Sequence, residues 1–551
     1  MTTQSAKVLV IGAGPVGLGA ALELAKHGVP SILIEKHPSI SWHPKTRNFN
    51  TRTMEIAAGW GEAVYRRLRS IDTPPGWKSP IRFLTSATGT ELGRIDSKGF
   101  EGPGPEVSPA EPIMTSQERI ERILLDAVLA SPLIEVRFET EAVRLVEGGG
   151  DDDARAVIEV QDRRTGAMER LEGAALVAAD GSGSFIRTSL DRRLEGVMGR
   201  SHVVNCYFRA DIEGRIGERK GVLLFVANAR ARGVLQALDG AGRWLCQINV
   251  PPAEWSLEVF TKDRARDWVR GAVDDDDLDV DVLSLGLWQM NATVVDRFVQ
   301  GRVLFCGDAA HQFPPTGGLG VNTGLQGMHN AMWKLAYFVR GLAGWSLVET
   351  YDAERRQVSK QITGQSLQNS INVARIHAAG GQGEDGMAAD DVVRESRRYG
   401  NHLGVEFGAA YASSAVVPDG TQPPTVNDAY SDYAPSATPG CRAPHVWLGT
   451  ATGRLSTLDL IGPGFTVLAA AHGAAWRDIG RTLSAELGVP VAVYVVGEAE
   501  LPAVGDFEAI YGLEATGAVL VRPDGHVALR HPVGSADTAT LIAAVRTMLG
   551  R

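Results

Sequence analysis

The residues best placed to do chemistry in this chain are glycines and carboxylates. Gly12-Ala13-Gly14-Pro15-Val16-Gly17 is followed, one apolar stretch later, by Glu35-Lys36. In such a pattern the first glycine allows a tight turn and the second lets a pyrophosphate approach the backbone. The third lets a helix pack closely on a strand. Phosphates then sit on the free N–H groups at the helix N-terminus, and the acid accepts hydrogen bonds from ribose hydroxyls. This reads as a dinucleotide site, and the motif leaves NAD and FAD both open. Two further glycine–acid pairs stand downstream. One is Asp180-Gly181, with Arg187 beyond it. The other is Gly307-Asp308-Ala309-Ala310-His311, which leads into Pro314-Pro315-Thr316-Gly317-Gly318-Leu319-Gly320-Val321-Asn322. Arg47 and Arg52 lie just behind the nucleotide motif, where a phosphate contact is expected of at least one. No HExxH or CxxC spacing occurs, so no metal site is expected.

These residues need elements to hold them. Lys7–Ile11 is an apolar run read as a buried strand, Leu18, Ala21, Leu22 and Ala25 share one helix face, and Ser31–Glu35 is a second strand. Ala174–Ala179 and Arg302–Cys306 are further buried strands, ending at Asp180 and Gly307; open α/β sheets take ligands at such carboxyl ends. Helices are expected from Thr51, from Gln117, and after the glycine loop, with Leu325, Met328, Met332 and Leu335 on one face. His202–Asp211, Gly221–Ala227, Gly233–Leu238 and Arg243–Val250 read as strands of an antiparallel sheet. The acidic run Asp274–Asp277 is read as a helix start or loop. Residues 412–462 are an extended connector rich in Pro, Ser, Thr and Gly, and strand–helix alternation resumes from Gly464.

At 551 residues the chain should hold two or three domains, since one core rarely grows past about 250–300 residues. A net charge of −10 without a long basic run argues against nucleic acid as partner. No apolar run is long enough to predict a membrane span. Met1–Ala6 is short and polar, so no secretory signal is expected, and the four cysteines are read as reduced, mostly buried thiols of a cytoplasmic protein.

The ordered set of three motifs resembles the single-component FAD-dependent aromatic hydroxylases, the para-hydroxybenzoate hydroxylase group, over roughly residues 7–370. The tail, with Ser414-Ala415-Val416-Val417-Pro418-Asp419-Gly420, Pro439-Gly440-Cys441-Arg442-Ala443-Pro444-His445 and Ser456-Thr457-Leu458-Asp459-Leu460, looks like the phenol and chlorophenol hydroxylase branch and the polyketide hydroxylases. The resemblance implies an α/β fold. A Rossmann-type FAD-binding domain covers 1–198 and 285–370, with an inserted antiparallel-sheet substrate domain at 199–284 that takes in part of 70–112. A helix and connector follow at 371–462, then a thioredoxin-like α/β domain at 463–551. No cysteine follows Cys441, so dithiol chemistry is excluded for that last domain, and a packing or homodimer role is expected.

Carried over position by position, the resemblance assigns Gly12, Gly14, Pro15, Val16, Gly17, Glu35 and Lys36 to the ADP half of FAD. Arg47 and Gln117 become pyrophosphate and ribityl contacts, and Asp308 a ribityl or diphosphate contact. Pro315, Gly318, Gly320, Val321 and Asn322 would line the isoalloxazine, while Asp180 and Gly181 would serve both FAD and NAD(P)H. The chain departs from the family pattern at Lys45 (often Arg), at Asn48 (often Gly) and at Gln326-Gly327-Met328-His329 (commonly Gln-Asp-Ala).

With no metal motif, an organic cofactor must activate O2, and flavin fits, by way of a C4a-hydroperoxide. Backbone N–H groups of the glycine loop suit the ring edge where charge develops. The partner is then a small aromatic substrate. A phenol has a pKa of about 10, like tyrosine, and reacts best as phenolate, so the site must lower that pKa or supply a base. Along the first sheet strand Asn205, Tyr207 and Arg209 share one face while His202, Cys206 and Phe208 share the other, with the flavin-facing side left open. Tyr207 is the candidate for substrate hydrogen bonding, and Phe225, Gln236, Trp244 and Gln247 are wall candidates. His311 is assigned a structural role. The alternatives are epoxidation or Baeyer–Villiger oxygenation on the same scaffold. A halogenase Trp-x-Trp-x-Ile-Pro segment is not found, and a non-catalytic nucleotide-fold protein is disfavoured by the intact Gly307-Asp308 and loop glycines.

Overall fold

Val8–Ile11 is buried and pairs in parallel with Ser31–Ile34 on one side and Ala175–Ala178 on the other. Ile134–Arg137 and Val303–Phe305 extend this parallel sheet outwards, and Val299–Gln300 closes one edge antiparallel. Strands covered on both faces read as unbroken apolar runs, which is why they stand out in the sequence. Helix Pro15–Lys26 starts with proline at a position that needs no N–H donor and packs on helices Gln117–Ala130 and Gly320–Val339. This is the computed structural model of the chain, and it describes residues 7–45, 47–379, 389–451, 453–498, 501–534 and 537–551. Met1–Ala6, and with it the expectation about a leader, lies outside them.

The second layer is an eight-stranded sheet. It runs His311–Gln312, Asp281–Val295, Leu194–Arg209, Arg243–Val250, Arg232–Ala237, Leu223–Ala227, Ile81–Leu84 and Glu91–Ile95. Two strands come from the 70–112 stretch, three lie within 199–284, and Leu194–Arg209, Asp281–Val295 and His311–Gln312 overrun the expected domain limits. The boundary placed between 284 and 285 falls inside Asp281–Val295, a strand whose half-exposed Leu285, Trp288 and Met290 blur the alternation that would mark it. One face of the sheet is covered by helix Lys262–Val273, whose Ala265, Trp268, Val269 and Ala272 pack on Cys206, Phe208, Leu235 and Ile248. Asp274 terminates that helix in a left-handed conformation, φ 63°, so the acidic run follows a helix end instead of opening one.

The C-terminal unit is a βαβ element, Phe465–Ala469, Trp476–Leu487 and Val491–Val495, followed by the hairpin Ala518–Val521/Val527–His531 and helix Thr538–Met548. Trp333 and Tyr337 of helix Gly320–Val339 enter its core beside Phe465. Its Asp524 turn also reaches a buried charge cluster. Lys334 Nζ donates to Glu354 at 2.7 Å, Arg522 Nη1 to Glu354 at 2.7 Å, and Asn330 Nδ2 to Asp524 at 3.0 Å. Burial pushes the Glu354 carboxyl up, but Arg522 and Lys334 override it and hold it well below the carboxylate range. Such a cluster stays stable only while all its members are present. The unit is thus packed against the nucleotide layer. No helix among the described residues is long and apolar enough to cross a membrane.

Candidate active site

The three motifs meet at the carboxyl edge of the parallel sheet. A Cβ on Gly12 would lie 2.4 Å from the Ala179 carbonyl oxygen, and one on Gly17 only 1.8 Å from the Gly12 carbonyl oxygen. A Cβ on Gly307 would meet Val16 at 2.9 Å, and one on Gly324 would meet both Val16 and Gly307. These glycines let four chain segments touch. Gly14 differs: nothing lies within 4 Å of its missing Cβ, so the turn is open there. Glu35 accepts from the Ala13 N–H at 2.9 Å and from the His37 N–H at 2.9 Å, which fixes the turn. The N–H groups of Gly14, Val16 and Gly17 have no hydrogen-bond partner among the described residues. Lys36, next to Glu35 in the chain, is exposed.

Asp180 accepts from the Ile186 N–H at 3.1 Å, and its other oxygen is buried without a partner; burial raises its pKa. Arg187 bridges the two glycine–acid segments, donating to Ala309 O at 3.1 Å and Ser182 O at 2.7 Å. Asp308 is reached by solvent but walled in by protein. That enclosure raises its pKa, and Lys45 opposes the rise. Lys45 also acts on Glu121, whose carboxyl burial lifts to about 7 and which accepts from Gln117 Nε2 at 2.6 Å. Lys45 is thus a cation whose charge acts on both Asp308 and Glu121. Arg47, assigned to the pyrophosphate by resemblance, points elsewhere. It is buried, burial lowers its pKa to about 10, and its guanidinium donates to the carbonyls of Val222 and Ala237 in the large sheet. Arg52 is likewise engaged, with Glu55 at 2.7 Å and Asp524 O at 2.7 Å.

The glycine loop at 314–320 is held by distant side chains. Asn322, fully buried, accepts from the Asn50 N–H at 2.9 Å and donates to Gly318 O at 2.9 Å and Asn48 O at 3.3 Å. Its side chain is thus spent as a clamp, and its backbone N–H is the group it leaves free to offer to a ring. A Cβ on Gly318, φ 66°, would lie 2.9 Å from Asn48 Oδ1 and 3.0 Å from Phe100. Above Gly320 there is open space. The N–H groups of Gly317, Leu319, Gly320, Val321 and Asn322 have no partner among the described residues, the last three being the orphan donors of a helix N-terminus. Pro315 is half-buried in the same loop. His311 is buried in strand His311–Gln312, stacked on Phe313 at 4.5 Å, and burial pushes its pKa to about 3.

The face of the large sheet turned towards this loop follows from the register. Phe225 pairs with Val234, and Leu223, Phe225 and Val234 share a cluster with Phe83, Phe100 and Met114. Alternation puts Gln236 and Gln247 on the same face, and Asn205 and Tyr207 with them. Trp244 is on the other face. It packs edge-on to Trp77 at 5.4 Å within the core under helix Lys262–Val273, which removes it from the wall. Tyr207 is buried beside Leu238 and Leu245, and its hydroxyl lies 3.4 Å from Arg243 Nη1. The segment after Glu35 reaches this face through His43, whose Nδ1 lies 2.7 Å from Ser284 Oγ.

Residues 5–366 match the FAD binding domain family model, and residues 436–551 match the model of the aromatic-ring hydroxylase C-terminal domain. The chain belongs to the FAD-dependent aromatic-ring hydroxylases. It is 33% identical to the 2,4-dichlorophenol 6-monooxygenase of Cupriavidus pinatubonensis, over 100% of this chain and 97% of that one. Among solved structures it resembles the flavin-dependent monooxygenase PieE in complex with FAD and substrate, with TM-score 0.90, 31% identity and 99% of both chains covered. It also resembles aklavinone-11 hydroxylase in a ternary complex with FAD and aklavinone, with TM-score 0.85, 31% identity and 100% of both chains covered.

FAD is the cofactor of this hydroxylase, and epoxidation and Baeyer–Villiger chemistry are not favoured. Among the described residues of the hydroxylase no cluster could hold a metal ion. Its sequence pointed to the glycine loops directly. It gave no sign of Asn48, Asn50 and Phe100 as their supports, because those contacts join segments far apart in the chain. Lys45 stands where the family often has arginine.

Proposed function

We propose that this hydroxylase inserts one oxygen of O2 into an uncharged phenolic ring, of a simple phenol or an aromatic polyketide, with NAD(P)H as reductant. The observation that carries the reading is the cleft where all three motif segments meet, with open space above Gly14 and Gly320 and unpartnered N–H groups at both. In this reading Gly14, Val16 and Gly17 hold the FAD diphosphate on their N–H groups, with Lys45 in support. Glu35 holds the ribose, Gln117 and Asp308 the ribityl chain, and Asp180 and Gly181 the side where NAD(P)H approaches. Bound flavin supplies oxygen activation. The N–H groups of Gly320, Val321 and Asn322 favour negative charge on the ring edge, and the helix behind them adds its dipole. Phe225 and the amides of Gln236 and Gln247 form the wall for the substrate, and Tyr207 hydrogen-bonds the phenol. Arg47 and Arg243, which border this wall, are committed to carbonyls and to Asp239 respectively, and this favours a neutral ring over an aromatic carboxylate.

The test is NAD(P)H oxidation by the FAD-loaded protein across a panel of phenols, polycyclic phenols and their carboxylated counterparts, with 18O2 to count oxygen in the product. Stimulation by a neutral phenol with one labelled oxygen incorporated is expected. Stimulation confined to carboxylated rings, or products without label, would refute the reading.

A further inference from the structure

We propose that Asn369 is a positioning residue for the flavin: its amide orients the Thr316–Gly317 peptide so that the Gly317 N–H is offered to the ring edge. The inference rests on the reading of the 314–320 loop as the flavin-ring loop. Asn369 is fully buried on helix Trp345–Ala379. Its Nδ2 donates to Thr316 O at 3.0 Å, and Thr316 Oγ1 donates to Ser366 O at 2.5 Å, so residue 316 is pinned twice to the same helix. In a trans peptide the carbonyl and the following N–H point in opposite directions. With the Thr316 carbonyl drawn to the helix, the Gly317 N–H faces away from it, and it has no partner among the described residues.

The brace behind Asn369 is directional. Arg398 Nη1 donates to Gln365 Oε1 at 2.9 Å, Gln365 Nε2 donates to Asn369 Oδ1 at 2.9 Å, and Asn369 donates onward to the loop. Asp428 holds Arg398 at 2.8 Å. Every amide in the row donates towards the loop, and such chains polarise one another. Asparagine suits the position because it accepts from Gln365 and donates to Thr316 at once. Alanine would leave a buried carbonyl unpartnered and the peptide free to turn.

Reduced flavin carries negative charge at the ring edge, so a lost donor weakens the reduced form more than the oxidised one. Asn369→Ala is expected to retain bound FAD and to lose about tenfold in this preference, a fall of about 30 mV in the two-electron midpoint potential. Gln365→Met, which keeps the donor but removes its brace, should shift the potential the same way by less. If Asn369→Ala fails to fold, the Gln365→Met shift decides. A potential equal to wild type in FAD-loaded Asn369→Ala, even with lowered thermal stability, would mean a purely structural role and overturn the proposal; so would an unshifted Gln365→Met. A wild-type protein that takes up no FAD sinks the underlying reading instead.

Discussion

The two glycine loops of this hydroxylase have similar compositions and are built in different ways. The turn at Gly12–Gly17 is shaped from within and by the adjacent strand, since its forbidden Cβ positions collide with the carbonyls of Gly12 and Ala179. The loop at 314–320 is shaped from outside, by Asn48, Phe100 and Asn322, and by Asn369 on a later helix. The first is a local steric solution, and it survives as long as its strand–helix unit does. The second is an assembled solution, and it depends on the packing of several segments. A phosphate needs only a row of N–H groups at a helix end. A ring whose charge changes during turnover needs donors held in one orientation, and that calls for supports on several sides.

Substitutions should separate these two designs. Gly17→Ala should have the largest effect. Its Cβ overlaps the Gly12 carbonyl at 1.8 Å, so helix Pro15–Lys26 must move, at a cost of about 3 kcal/mol, and FAD binding should be lost. Gly14→Ala is the matched control: with nothing within 4 Å it should leave the melting temperature of the apoprotein unchanged and still weaken FAD in a fluorescence titration. Equal stability losses in the two variants would break the claim that the turn is locally determined.

Asn322→Ala comes next. It deletes three buried hydrogen bonds of the assembled loop, worth about 2–3 kcal/mol together, and leaves the nucleotide turn intact. Denaturant unfolding should report the loss, and the flavin absorption spectrum should change while the diphosphate end still binds. Glu121→Gln probes the buried carboxyl on helix Gln117–Ala130. Burial raises the Glu121 carboxyl from 4.5 to about 7, so the native state holds a proton that the unfolded state releases. The stability from this group is full below about pH 4.5 and is lost as pH rises through about 7. The Gln variant should be more stable than wild type at pH 8, by about 3 kcal/mol, and equal to it near pH 4.5. Identical pH profiles would place Glu121 outside the buried cleft. The smallest effect distinguishes the two faces of the large sheet: Phe225→Leu should raise KM for the substrate several-fold, whereas Trp244→Phe should lower the melting temperature and leave KM alone.

The elements of the nucleotide layer were legible because each is self-contained. Strands buried on both faces announce themselves as apolar runs, and the spacing of Gly12, Gly14 and Gly17 is a short-range pattern, with Gly17 answering to the Gly12 carbonyl five residues away. The antiparallel strands around 202–250 were legible by alternation, and the strand at 281–295 was not, because its half-exposed side chains follow no clean period. Asn205 and Tyr207 could be placed on one face and Cys206 and Phe208 on the other. Which face meets the 314–320 loop waited on helix Lys262–Val273 covering one side, and Trp244 went with the covered side.

The sequence by itself determined the α/β class, the three motif segments and the chemistry they can support, since those rest on residue type and short-range spacing. Tertiary structure alone decided that Arg47 turns to the carbonyls of the large sheet, that the Asn322 side chain clamps the 314–320 loop, and that Asn369 reaches Thr316. Each of these depends on where a side chain ends relative to segments tens to hundreds of residues away. Backbone geometry is written locally in the chain, while the direction in which a long polar side chain spends its hydrogen bonds is settled only when the layers pack.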